Sequence, residues 1–218
     1  MRQELLKLYQ NNQNNFKNVR NHFPNDNLHG PFLISPNDKY AIQPLPLLII
    51  GQETFGWGCE IDDIEKQMAV YEKFNVGETY KPTPFWNVTR KVEEKLGHEK
   101  YSCAQTNINK FDVNRKHPVG PHENTIASLE KILITEISIL KPKICIFFTG
   151  PSLDNRLNAI FPSIKFLDIL EFNKREFCQL KHELLPELSF RAYHPGYLRR
   201  KGKEKKFLDF IVKLSISN

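Results

Sequence analysis

An α/β protein in three layers is predicted, with a central, mostly parallel four-stranded sheet between two layers of helices, and three observations predict it. Short apolar runs alternate with segments whose apolar residues recur at helical spacing. One run, ICIFFTG, is apolar on both faces, as a strand covered on each side by helices must be. The runs are also separated by helix-length segments, which require right-handed crossovers and hence parallel pairing.

The elements follow in order. Residues 1–30 are rich in Asn and Lys, with Leu5, Leu6 and Tyr9 on one short helical face, so a loosely attached N-terminal helix is expected. An irregular lead-in follows, GPFLISPNDKYAIQPLP, whose prolines after Phe32 oppose helix. Leu45 to Ile50 is the first strand. Ile61, Ile64, Met68 and Tyr71, then Phe85, Val88, Val92 and Leu96, mark two amphipathic helices. YSCAQT is the second strand. In NTIASLEKILITEISIL, residues Ile126, Leu129, Leu133, Ile137 and Leu140 share one face of a single helix. ICIFFTG is the third strand, Leu153 to Ile160 a short helix and IKFLDI a charged edge strand. LSFRAYH is the last strand, and Phe207, Phe210, Ile211 and Leu214 mark a closing helix.

Size and composition bound the function. The 218 residues suit one domain, 1–218, with residues 1–44 as its N-terminal helix and lead-in. No internal repeat or second linker divides them. A net charge of +6 and a pI near 9.0 allow a polyanionic partner. Cys59, Cys103, Cys145 and Cys178 form no C-x-x-C pair, so free thiols in a reducing compartment are expected and a metal centre is not. No apolar stretch reaches the roughly 18 residues of a membrane span, and the polar N-terminus has no signal-peptide core. The expectation is an intracellular, cytoplasmic protein that acts as a monomer. No G-x-S-x-G nucleophile or P-loop is present, which argues against an unrelated small-substrate hydrolase.

In open α/β sheets, ligands collect beyond the carboxyl ends of the strands. That rule gathers Gln52 and Glu53, Asn107 and Asn109, Thr149 to Ser152, and His194 into one place. These residues carry a resemblance. GQETFGWG, residues 51–58, is similar to the GQDPYH-like loop of the uracil-DNA glycosylase superfamily. TPFWNVTRKVEEKLG resembles the helix after that loop, CAQTNINKF the strand that ends in a base-reading asparagine, and CIFFTGPS the next strand and its glycine turn. AYHPGYLRRKG resembles the histidine-proline loop that meets the DNA minor groove. The resemblance runs from about Leu45 to the C-terminus, and its motifs fall in the family's order.

The resemblance implies a uracil-DNA glycosylase-like fold and a monofunctional hydrolase that removes uracil or a related damaged base from DNA, in base-excision repair, with no metal or cofactor. It implies an intracellular, nucleoid-associated location and DNA, single- or double-stranded, as partner. A catalytically altered relative that only binds nucleic acid or a nucleobase is the alternative. Breaking an N-glycosidic bond builds positive charge on the sugar and negative charge on the departing base, so a carboxylate and a donor are needed on opposite sides. Glu53 stands where the family has the Asp that orients water and stabilises the sugar cation, and His194 where it has the histidine that donates to the base oxygen. Gly51 and Gln52 begin the pocket loop. Asn107 or Asn109 reads the base edge, since an amide both donates and accepts. Phe55 stands beside the pyrimidine C5 position, and Trp57 is a candidate to stack on the extruded base. Ser152, Pro195, Gly196, Arg199, Arg200 and Lys201 are expected to face DNA, with Tyr197 or Leu198 filling the gap left by the flipped nucleotide.

Three departures have physical consequences. Glu53 is one methylene longer than Asp, which moves its carboxylate by about an ångström or more, a displacement that matters to catalytic geometry. Thr54 replaces a loop proline, which predicts a looser turn. Gly196 replaces a serine, which removes a hydroxyl but keeps a backbone N–H for phosphate. His117, Pro118, Gly120 and His122 read as a loop before a helix.

Overall fold

The computed structural model describes residues 1–216, with side chains through Leu214. Two N-terminal helices replace the one expected, α1 (Arg2–Asn11) and α2 (Gln13–His22). Asn12 separates them: its side chain donates to the Leu8 carbonyl at 2.9 Å, competing with the helical ladder. The pair is not loosely attached. Leu5, Tyr9 and Phe16 are fully buried, so these helices complete the core.

The lead-in holds β1 (Leu28–His29) and the one-turn α3 (Lys39–Ile42), then passes into β2 (Leu47–Gly51), buried at every position. Next is α4 (Ile64–Phe74). Asp63 caps it by accepting from the Lys66 N–H at 3.0 Å, and Asn75 ends it in the left-handed conformation. In α5 (Pro84–Lys95) the N-cap is Thr83 and Pro84 occupies the first turn, where its missing N–H costs nothing. β3 (Ala104–Asn107) and β4 (Asp112–Val113) follow, and β4 pairs antiparallel with β1.

The long helix expected after β4 is divided into α6 (Pro121–Ala127) and α7 (Lys131–Leu140). At the break, the Ser128 hydroxyl donates to the Thr125 carbonyl at 2.7 Å and successive i→i+3 bonds tighten the chain. Then come β5 (Ile144–Phe147), a 3₁₀ turn at Pro151–Leu153, α8 (Asp154–Ile160), β6 (Lys165–Leu167), β7 (Phe177–Lys181), β8 (Leu188–Ala192), α9 (Pro195–Arg200) and α10 (Glu204–Ile216).

The main sheet has six strands and mixed direction, not four, in the order β3-β2-β5-β8-β7-β6. Four of them, β3, β2, β5 and β8, are parallel, with Gly51 opposite Asn107 and Phe147 opposite both Ile50 and Arg191. β7 and β6 add an antiparallel edge. β7 escapes periodicity because FCQLK buries Phe177, Cys178 and Leu180 without a clean alternation. Along β6, Lys165 and Leu167 are exposed, which suits an outer strand that charge keeps from pairing further.

One hydrophobic cluster runs from Leu5 to Ile211. Inside it lies an ionic network. The Lys110 ammonium donates to both Glu136 oxygens at 2.7 Å and to Thr106 Oγ1 at 2.8 Å; Tyr9 and Thr106 hydroxyls donate to the same carboxylate. Tyr9 Oη in turn accepts from the Ile34 N–H. Burial lowers the Lys110 pKa, against the opposing pull of Glu136.

His98, after α5, is 9% exposed, and among the described residues neither ring nitrogen has a hydrogen-bond partner. Burial lowers its pKa. A depressed folded-state value means that stability is fully present above the unfolded pKa of about 6.5 and is lost as pH falls through the folded value. Urea unfolding is therefore expected to show falling stability on acidification below about pH 6.5, with each unit of depression worth about 1.4 kcal/mol. His98→Leu should blunt that slope; an unchanged slope would remove His98 as its cause.

Candidate functional site

A cleft of about 330 Å³ opens beyond the carboxyl ends of three of the parallel strands, β2, β5 and β8. Gln52, Thr149, Ser152, Arg175, Tyr193 and His194 contribute to its walls. Parallel pairing is what brings together residues that follow different strands. Gln52, just past β2, donates from Nε2 to the Thr149 carbonyl past β5 at 2.7 Å, and its own carbonyl accepts from the Asn109 N–H past β3 at 2.9 Å.

Gly51 is required by a close approach. A Cβ there would stand 2.3 Å from Asn107 Oδ1, so only glycine lets that amide lie across the end of β2. Gln105 Nε2 donates to the same oxygen at 2.8 Å and fixes the amide. Asn109 is placed differently: its Oδ1 accepts from Arg156 at 2.6 Å, and its buried Nδ2 has no partner among the described residues. Arg156 is held in turn by Glu130. Of the two asparagines, Asn107 is the one lying over the pocket loop.

His194 caps α9. Its Nδ1 accepts from the Gly196 N–H at 3.1 Å, which leaves the ring proton on Nε2 and makes that atom a donor. The Gly196 N–H is therefore engaged by the imidazole rather than kept for a phosphate. A Cβ at residue 196 would lie 3.3 Å from His194 Nδ1, so glycine also gives the ring its room. Phe85 stacks on the imidazole, with centroids 5.8 Å apart and planes at 30°. Although His194 is exposed to solvent, desolvation by the protein packed around its ring lowers its pKa; Glu53 opposes this and Arg200 adds to it. The neutral ring is thus favoured at neutral pH, and Glu53 and His194 lie close enough to interact electrostatically.

Glu53 has a partner that motif matching does not supply. His117 Nδ1 lies 2.6 Å from Glu53 Oε2. This contact is the largest cause raising the His117 pKa, above an opposing burial effect; Glu123 raises it further and Arg156 lowers it. An Asp at this position would carry its carboxylate about one methylene farther back from His117. Titration of the His117 ring by NMR should give a value above about 6.5, and Glu53→Gln should bring it down. A value at or below 6.5 in the unaltered protein would contradict the pair.

Thr54 does not loosen the turn. Its hydroxyl donates to the buried Asp112 carboxylate at 2.6 Å, as do the N–H groups of Gly56 and Arg115 at 2.7 Å, while His29 Nδ1 lies 2.7 Å away. Asp112 therefore staples GQETFGWG to the loop after β4 and to β1. Sequence reasoning passed over Asp112, His117, Arg175 and Tyr193. The only local signal was the second His-Pro stretch, read as a plain loop.

Three expected site residues pack inward instead, Leu198 and Pro195 buried and Trp57 partly buried against the core. Trp57 packs on Phe32, with centroids 4.5 Å apart, and edge-on against Phe74, so it supports the fold rather than offering a free stacking face. Leu198 is 3% exposed and Pro195 is also buried, because HPGYLRR folds into α9 and turns them inward. Phe55 is 70% exposed. The cations divide. Arg199 pairs with Glu204 at 3.2 Å, whereas Arg200 and Lys201 form no salt bridge among the described residues and flank the Tyr197 ring at 5.8 and 6.0 Å.

No cluster of metal-ligating side chains occurs among the described residues. No helix among them is long and apolar enough to cross a membrane. In comparisons with known proteins, the chain matches no family model and no curated sequence.

Proposed function

We propose that this protein is a monofunctional DNA glycosylase with a uracil-DNA glycosylase-like fold, hydrolysing the N-glycosidic bond of uracil or a related damaged base. The observation that carries the reading is His194 in the cleft wall, its Nε2 left as a donor, with the Glu53 carboxylate just past β2 near enough to act on it electrostatically. Such a pair matches the charge that develops: the carboxylate side stabilises the sugar cation and orients water for attack at the anomeric carbon. The Nε2–H of His194 holds the oxygen of the departing base, where negative charge collects, and a neutral imidazole suits that task. Asn107 reads the base edge beside it. His117 holds one Glu53 oxygen and leaves the other for water.

The test is base release from oligonucleotides carrying uracil and other deamination products, single- and double-stranded, with the abasic product detected by alkaline cleavage. Absence of release from every substrate would end the assignment. A second reading, a member that binds nucleic acid without cleaving it, draws on one observation: His117 already occupies an oxygen of Glu53. DNA binding that weakens with salt, without release, would favour it.

A further inference from the structure

Glu53 and His117 lie 64 positions apart on two loops, and one buried carboxylate holds both loops. Asp112 is fully buried and divides its oxygens between them. Its Oδ2 accepts from the Thr54 hydroxyl at 2.6 Å and the Gly56 N–H at 2.7 Å, both just beyond Glu53. Its Oδ1 accepts from the Arg115 N–H at 2.7 Å, two residues before His117, and lies 2.7 Å from His29 Nδ1 on β1.

The loop that carries His117 begins as a tight hairpin turn. Val113 and Lys116 exchange N–H···O bonds at 3.0 and 3.2 Å, which makes Asn114 and Arg115 the central residues. Both have positive φ, 55° and 59°, as in a type I′ turn, whose second central position favours glycine. An arginine there is strained, and such strain persists only where the surroundings over-determine it. Asp112 binds the Arg115 N–H. The Arg115 side chain lies across the pocket loop at Gly56, where an added Cβ would stand 2.8 Å from Nε. The Asn114 N–H donates to the Asn27 carbonyl at 2.9 Å. His117 thus follows a turn of fixed direction, and Glu53 precedes a segment pinned to the same carboxylate.

We propose that Asp112 is a positioning residue: by clamping the pocket loop to one oxygen and the hairpin turn to the other, it sets the Glu53 carboxylate against the His117 ring. Its effect on turnover rests on the glycosylase reading, whereas its effect on the Glu53–His117 contact does not. Asn at this position would offer one oxygen and one amide group in place of two acceptors, so one of the loops loses its anchor and meets a donor instead.

The His117 ring, which also feels Glu123 and Arg156, reports the contact by NMR titration of the full chain. Asp112→Asn is expected to lower the His117 pKa by about half a unit or more, toward its ordinary value of about 6.5. Thr54→Val, which removes one donor to Oδ2 with little change of shape, should produce part of that fall, and Thr54→Ser, which keeps the hydroxyl, should restore the value. A residue that only stabilises the fold would shift urea unfolding without moving this titration. An unchanged His117 titration in Asp112→Asn would overturn the proposal; if that variant fails to fold, an unchanged titration in Thr54→Val would do so. Base release from a uracil-containing single strand separates the two readings. Where release occurs, Asp112→Asn should lower kcat by about 10- to 100-fold and leave KM nearly unchanged. No release from the unaltered protein, with the His117 shift present, removes the glycosylase reading and leaves Asp112 its role; release with an unshifted His117 does the reverse.

Discussion

Glu53→Gln is expected to slow base release by about 10²–10⁴-fold, and His194→Ala by about 10²–10³-fold, while oligonucleotide binding changes far less. The asymmetry follows from where the groups act. In the proposed reaction each would meet charge that is full only in the transition state, so its loss should fall on turnover rather than on binding. Glu53→Asp should also lose activity, although it restores the shorter side chain of the resembled motif, because the shorter side chain draws the carboxylate back from the 2.6 Å contact to His117. Acidification supplies an independent check. Desolvation holds the His194 pKa below its ordinary value, so release should persist as pH falls through about 6.5 and decline only when the ring protonates. Single-turnover rates and anisotropy on the same preparations measure both quantities. Unchanged turnover in Glu53→Gln and His194→Ala would refute the roles assigned to them.

Glu136→Leu is expected to destabilise the fold by about 3–5 kcal/mol, the largest stability effect anticipated for a single substitution here. Lys110 and Glu136 both have fully buried side chains, and Tyr9 and Thr106 donate to the same carboxylate. Removing it strands an ammonium and two hydroxyls in the core. Lys110→Met combined with Glu136→Leu should recover much of the loss, because an apolar pair of similar volume requires no desolvation of charge. Urea unfolding of the single and double variants reads the difference. Equal stability of Glu136→Leu and the unaltered protein would show that the ion network contributes nothing net. The network also bears on the candidate site, since Lys110 is the next residue after Asn109 and Thr106 immediately precedes Asn107.

The residues at the carboxyl ends of the parallel strands were legible because strand ends are a local property. Runs such as LLII and ICIF announce buried strands by composition alone, and helix-length spacing between them imposes parallel order, so the polar residues that follow each run must share one edge. Gly51, Gln52, Glu53, Asn107 and His194 could be named on that ground before any contact was known. What neighbouring residues cannot encode is the choice of distant partner or the inward face of a short helix. Glu53 meets His117, 64 positions away; Asp112 gathers His29, Thr54, Gly56 and Arg115; Lys110 meets Glu136. Leu198 looked free in HPGYLRR because six residues of helix have too little periodicity to show which side packs, and only docking of α9 on the core turned it inward. β7 was hidden for a related reason: its pairing between β6 and β8 is decided by the sheet it joins, not by an alternating pattern of its own. Local periodicity and composition thus determined most of the strands and helices and the edge where their polar ends gather. Long-range packing alone decided which groups are paired, which are buried and which remain free to meet a ligand, because those outcomes depend on surfaces brought together from distant parts of the chain.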